Sequence, residues 1–106
     1  MKFNNPYWST TEKIELLQRW ILFHAYCYYE LDTNFVPDTV YDKNAHQLAR
    51  LMDKYPEEVK NSRYKDFFVN YDGNTAYDVI QALKGDLELL RTIQRDVYIL
   101  KTTKKV

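Results

Sequence analysis

A small all-α domain of about four helices is the fold this sequence predicts, and three observations carry it. Apolar residues recur at spacings of three and four over residues 14–31 and again over residues 41–55, which is the period of a helix face. Ser9 with Glu12, and Thr75 with Asp78, have the spacing of helix-start caps. Pro56 stands where the second of those runs stops, and Gly85 where a third helix breaks.

The elements follow in order. Residues 1–8 read as a short lead-in. The Ser9–Glu12 capping box opens the first helix, whose stripe of Ile14, Leu17, Ile21, His24, Tyr28 and Leu31 is expected to face the core. Asp32-Thr33-Asn34 begins a polar break. Pro37 suits a first helical turn and Asp38 its positive end. The second helix carries Tyr41, Ala45, Leu48, Met52 and Tyr55 up to the stop at Pro56. Residues 57–60 form a helical turn. Residues 63–70 contain Phe67, Phe68 and Val69, and the sequence leaves open whether they are extended or an apolar loop against the core. Asp72-Gly73-Asn74 is a turn. Thr75 and Asp78 then cap a third helix ending near Leu83. After Gly85, Asp86 opens a fourth with Leu87, Leu90, Val97 and Leu100 as its stripe, and the tail from Thr102 is expected to fray.

Composition narrows the function. The 106 residues suit one domain over 1–106, with no repeat and no linker. Fifteen basic and fifteen acidic residues cancel, which argues against a charge-driven nucleic-acid or membrane binder. Two glycines leave no phosphate-cradling loop, neither a Rossmann fingerprint nor a Walker loop. Cys27 is the only cysteine, so no internal disulfide forms, as in a reducing cytosol. The apolar run over residues 20–29 is about half the roughly 20 residues a membrane helix needs. The first ten residues have no signal-peptide character, and a cytoplasmic location is expected.

Tyrosine is abundant, with ten copies. Its densest setting is the stretch His24-Ala25-Tyr26-Cys27-Tyr28-Tyr29 and the loop after it. Asp38, Tyr41 and Asp42 lie at i, i+3 and i+4, on one face of one helical turn. With Tyr28 and Tyr29 just before the loop, two carboxylates and three phenols can meet around one cleft. Aromatic faces attract a cationic ring, and carboxylates accept hydrogen bonds from sugar hydroxyls. The constellation suits a flat, cationic, hydroxyl-bearing ligand.

The same residues resemble the small N-terminal domain, domain Ia, of bacterial NAD+-dependent DNA ligases. The matching pattern is Tyr26-Cys27-Tyr28-Tyr29, then Leu31-Asp32, then Val36-Pro37-Asp38-Thr39-Val40-Tyr41-Asp42, with Tyr55-Pro56 closing the second helix. It covers residues 12–56, leaving 57–106 as an unrecognised helical extension. The resemblance implies an antiparallel helix pair forming the ligand cleft. It implies nicotinamide mononucleotide, or that half of NAD+, as the ligand, held by Tyr28, Tyr29, Asp38, Tyr41 and Asp42. Tyrosines would pack on the nicotinamide, and carboxylates would hold ribose and carboxamide. A ligase's adenylation domain carries a lysine nucleophile in Lys-x-Asp-Gly. Here Asn70-Tyr71-Asp72-Gly73 puts an asparagine in that place, and an amide nitrogen is no nucleophile. A non-catalytic binding module, unable to ligate DNA alone, is therefore expected. It would meet the mononucleotide, and as protein partner a ligase adenylation domain or another host protein, without touching nucleic acid or membrane. Small stand-alone domains of this kind resemble phage or mobile-element proteins.

Each site residue also has a plainer role. Tyrosines at helical spacing serve as core and rim packing, and Asp38 stabilises a helix start by its charge alone. Asp38 and Asp42 as an acid–base pair would lack a nucleophile and distinct environments, whereas hydrolysis of the nicotinamide–ribose bond of NAD+ could use a single carboxylate, which leaves an enzyme acting on NAD+ as a third reading. His24 and Cys27, at i and i+3, are too few for zinc and lack an orienting third group for nucleophilic chemistry. His46 is expected to be partly exposed. Arg19, Lys43 and Arg50 are helical cations able to reach a phosphate, Lys43 nearest the cleft, while Lys101, Lys104 and Lys105 read as a solvated tail. The alternative function is a small phage protein-interaction module or inhibitor acting on a host ligase or defence protein. It would use an exposed aromatic patch of Tyr64, Phe67, Phe68 and Tyr71.

Overall fold

The computed structural model describes residues 7–103. Five helices occur in the order α1 (Thr10–Leu31), α2 (Asp38–Lys54), α3 (Pro56–Lys60), α4 (Tyr77–Lys84) and α5 (Leu87–Thr103), with a 3-10 turn at Lys65–Phe67 between α3 and α4. No strand occurs among the described residues, so the all-α expectation stands, and the helical turn expected over 57–60 makes a fifth helix beside the four. That fifth helix is α3. Pro56 ends α2 as expected and then serves as the first residue of α3, where its missing N–H costs nothing.

The capping box that opens α1 is complete. The Glu12 N–H donates to Ser9 Oγ at 3.1 Å, and the Ser9 N–H donates to Glu12 Oε1 at 3.1 Å. At the other end Asp32 takes the left-handed conformation, φ 47°, and its N–H bonds the Cys27 carbonyl, a helix-ending geometry.

α1 is the central element, touching α2, α3, α4 and α5. That position explains a departure from the expected single stripe. Ile14, Leu17 and Ile21 are buried as expected, but so are Gln18, Leu22, Ala25, Tyr26 and Cys27. A helix surrounded by neighbours buries more than one face. The end of the expected stripe behaves differently: His24 and Leu31 are half-buried and Tyr28 is 55 % exposed.

One core joins both halves of the chain, with Ala45 and Leu48 from α2, Phe68, Val79, Ile80 and Leu83 from the middle, and Ile93 and Val97 from α5. Residues 63–70 resolve to a turn-rich loop tucked on this core. Phe68 is only 1 % exposed and Phe67 packs partly against it, so the expected aromatic surface patch does not form. In α5 the stripe is set by Ile93 and Val97, and Leu87 is exposed. Asp86 Oδ1 accepts the Leu89 N–H at 3.0 Å, and the first turn capped in this way leaves Leu87 on the solvent side.

Two further expectations are corrected. Thr75 does not cap α4: the N-cap is Ala76, which makes no side-chain cap bond, and Thr75 Oγ1 accepts the Tyr77 N–H at 3.2 Å instead. The hydroxyl sits one residue too early for a capping box. At the C-terminus, α5 continues through Thr103, whose hydroxyl donates to the Ile99 carbonyl at 2.7 Å. Residues 1–6 of the lead-in expected over 1–8, and the cations Lys104 and Lys105, lie outside the described residues. Among those described, no helix is long and apolar enough to cross a membrane.

Ion pairs brace the periphery. Arg19 of α1 bonds Asp96 of α5 at 2.5 Å, and Lys84 of α4 reaches Glu30 of α1 at 2.6 Å.

Candidate functional site

A cleft of about 240 Å³ opens where the end of α1, the loop over residues 33–36, the first turns of α2 and residues 71–76 converge. Tyr28, Tyr29, Asp38, Tyr41 and Asp42 all line it, with His24 and Phe35. All five residues singled out from the sequence therefore share one cavity. The helix pair does not form it alone, because Tyr71, Gly73, Asn74, Thr75 and Ala76 supply a further wall.

The aromatic wall is built from the α1 terminus outward. Tyr28 and Tyr29 are neighbours in sequence, and their rings meet edge to face at 5.2 Å and 83°, a favourable quadrupole arrangement. Tyr41 is half-buried, and Trp20 lies against it with ring centroids 6.0 Å apart. Trp20 also contacts His24 at 4.2 Å. Thus Tyr41 and His24, facing the cleft, are seated on a ring that faces the core. Phe35 in the connecting loop is held against Phe23 at 6.0 Å.

The carboxylates come from α2. Asp38 is the first residue of the helix after the Pro37 cap, where the dipole favours a negative charge. Asp42 follows one turn later on the same face. Both are exposed and face a cavity that, among the described residues, no lysine or arginine lines. Of the cations considered from the sequence, Arg19 is paired with Asp96, and Lys43 and Arg50 are exposed outside the lining.

The further wall is braced from two sides. The Tyr29 hydroxyl lies 3.2 Å from Thr75 Oγ1 and accepts the Ala76 N–H at 3.3 Å. From α2, His46 Nε2 donates to Asn74 Oδ1 at 3.2 Å. Within the turn, Asp72 Oδ1 accepts the Asn74 N–H at 2.9 Å, and this bond holds the Asp72 carboxyl below its usual range. Gly73 has φ +88° and passes so close to α2 that a Cβ there would meet the Ala45 carbonyl and the His46 ring, both at 3.1 Å. The turn was legible in the sequence; its docking on α2 was not.

Burial raises the Tyr41 phenol above its ordinary range, with Tyr29, Asp42 and Tyr28 adding to the effect. Tyr71 is raised for the same first reason, then by Tyr41, Asp72 and Tyr29. Both phenols remain neutral at physiological pH and can donate or accept a hydrogen bond. Cys27, fully buried, has its thiol pushed up to about 11 by burial, the reverse of what a nucleophilic cysteine needs. The cleft therefore combines tyrosine rings and neutral phenols with two exposed carboxylates, a surface for a flat cationic ligand bearing hydroxyls.

The comparisons with known proteins converge on the same region. The family model described as the DNA ligase-like, N-terminal NAD+-binding domain matches residues 8–62. DNA ligases of Coxiella burnetii, from strain Dugway 5J108-111 and from strain RSA 493 / Nine Mile phase I, are each 43% identical over 51 residues, 48% of this chain. The chain spans only 8% of the length of these curated relatives. No solved structure gives a significant match.

Proposed function

Because this chain belongs to the family of DNA ligase-like, N-terminal NAD+-binding domains, we propose that it is a non-catalytic module binding nicotinamide mononucleotide, or that half of NAD+, in the α1–α2 cleft. One observation carries the reading: Tyr28, Tyr29, Asp38, Tyr41 and Asp42 line a single open cavity. The pyridinium ring is cationic and flat, which suits the tyrosine faces. The ribose hydroxyls and carboxamide N–H groups are donors, which suits Asp38 and Asp42. A neutral Tyr41 supplies a further hydrogen bond without charge repulsion.

Calorimetric titration with nicotinamide mononucleotide and NAD+ tests this. Saturable binding is expected, weakened about tenfold or more in Asp38→Ala and in Asp42→Ala, as for loss of a charge-assisted hydrogen bond. NAD+ recovered intact after the titration is the expected mark of a binder. No heat from folded protein at millimolar ligand sinks the reading.

A second element of the proposal concerns partners. No lysine or arginine among the described residues lines the cleft, so none of them is placed at its wall to meet a mononucleotide's phosphate. That favours a protein partner, such as a ligase adenylation domain or another host protein, which brings positive charge to the open side. The interaction-module alternative, a phage inhibitor using an aromatic patch, has less behind it: Phe68 is in the core and Tyr71 is in the cleft. A cytoplasmic location accords with an NAD+-derived ligand and a reduced Cys27.

A further inference from the structure

We infer that Tyr71, which lies beyond the family-matching residues, is a ligand-contact residue of this cleft, held in position by the braced turn that follows it. The inference rests on the reading of the cleft as a nicotinamide mononucleotide site.

Tyr71 lies outside the family match, which ends at residue 62, yet it lines the same cavity as Tyr28, Tyr41 and Asp42. Its placement is set by Phe68 before it and by the turn after it. The ring meets the buried Phe68 ring edge to face at 5.1 Å, and its N–H donates to the Phe68 carbonyl at 3.2 Å. The next two residues enter the Asp72–Asn74 turn, and Gly73 lets that turn sit directly on α2. A tyrosine needed only for packing would be served by the ring alone. Here the half-buried phenol faces a cleft in which Tyr41 is its electrostatic neighbour.

The other polar groups of this wall are already engaged. Thr75 Oγ1 meets Tyr29 and Tyr77, and Asn74 Oδ1 meets His46. The Tyr29 hydroxyl is bound to Thr75 and Ala76, so Tyr29 offers a ligand its ring and uses its oxygen as a strut. Tyr71 is thus the member of this wall whose hydroxyl is left to face a ligand. A neutral phenol there can donate to the carboxamide oxygen or accept from a ribose hydroxyl.

The test uses the full chain, with nicotinamide mononucleotide as the probe. Calorimetric affinity and thermal unfolding are measured for the wild type, Tyr71→Phe, Tyr71→Leu and the control Tyr77→Phe, an exposed tyrosine outside the cleft lining. Tyr71→Phe is expected to weaken binding roughly three- to tenfold, the range for one hydrogen bond, with an unchanged melting temperature. Tyr77→Phe should bind like the wild type. Weakened binding in Tyr71→Leu alone, again with unchanged melting, also supports contact and assigns it to the ring. Equal affinity in the wild type and both Tyr71 variants overturns the inference while leaving the site intact. No binding by folded wild type overturns the reading of the cleft and this inference with it.

Discussion

The two halves of the chain divide the labour unevenly. Residues 8–62 carry the family match and bring both carboxylates and most of the aromatic rings of the cleft. Residues 63–103 bring much of the core, including Phe68, Ile80, Leu83 and Ile93, and to the cleft only the segment 71–76. One half holds the recognisable chemistry, while the other sets the shape in which that chemistry is presented. A motif can therefore be complete in sequence and still depend on unrelated residues for its geometry.

The sharpest way to break this contrast is to remove a core wedge from the second half. Phe68→Ala is expected to cost about 3–5 kcal/mol, the usual loss for a buried phenylalanine, because Phe68 is 1 % exposed and packs within the shared core. Denaturation followed by Tyr/Trp fluorescence and by circular dichroism should show one coincident transition at lower denaturant. Two separated transitions would mean that the halves fold independently.

Gly73→Ala probes the seam between the halves. A side chain at φ +88° is strained, and its Cβ would press on the Ala45 carbonyl at 3.1 Å, so a loss of about 1–3 kcal/mol is expected. Mononucleotide affinity should fall although no cleft side chain has been removed. Undiminished affinity in a destabilised variant would separate the turn from the site.

The smallest effect is a pH dependence. Hydrogen bonding from Asn74 lowers the Asp72 carboxyl in the folded chain below its ordinary value of 3.8. Its contribution is therefore fully present above that value and is lost as pH falls through the lowered folded one. Asp72→Ala should show a shallower loss of stability between pH 4 and pH 2 than the wild type, read from urea midpoints. Identical acid profiles would assign no stabilising role to the turn carboxylate.

Legibility followed locality. The α1 capping box and the Asp38–Tyr41–Asp42 face are set by neighbours three and four residues apart, and the structure has both. Asn74 and Thr75 reach the cleft wall through partners twenty-eight and forty-six residues away, Asn74 with His46 and Thr75 with Tyr29, which no periodicity encodes. The mistaken cap at Thr75 has the same root. Its hydroxyl does meet the helix start, at the Tyr77 N–H, but from one residue before the cap, and it also meets the distant Tyr29 hydroxyl. Tyr28 continued a helical stripe by spacing, but it lies where α1 runs out of neighbours to bury it.

The Tyr29 strut has a consequence for how a ligand arrives. With Thr75 and Ala76 tied to α1 and Asn74 tied to α2, the far wall of the cleft is ordered when the chain folds. The entropy of arranging that segment is then incurred in folding rather than in association. A ligand would meet a finished surface, with no loop closure to wait for. Differences in affinity among its analogues would lie in how long each one stays.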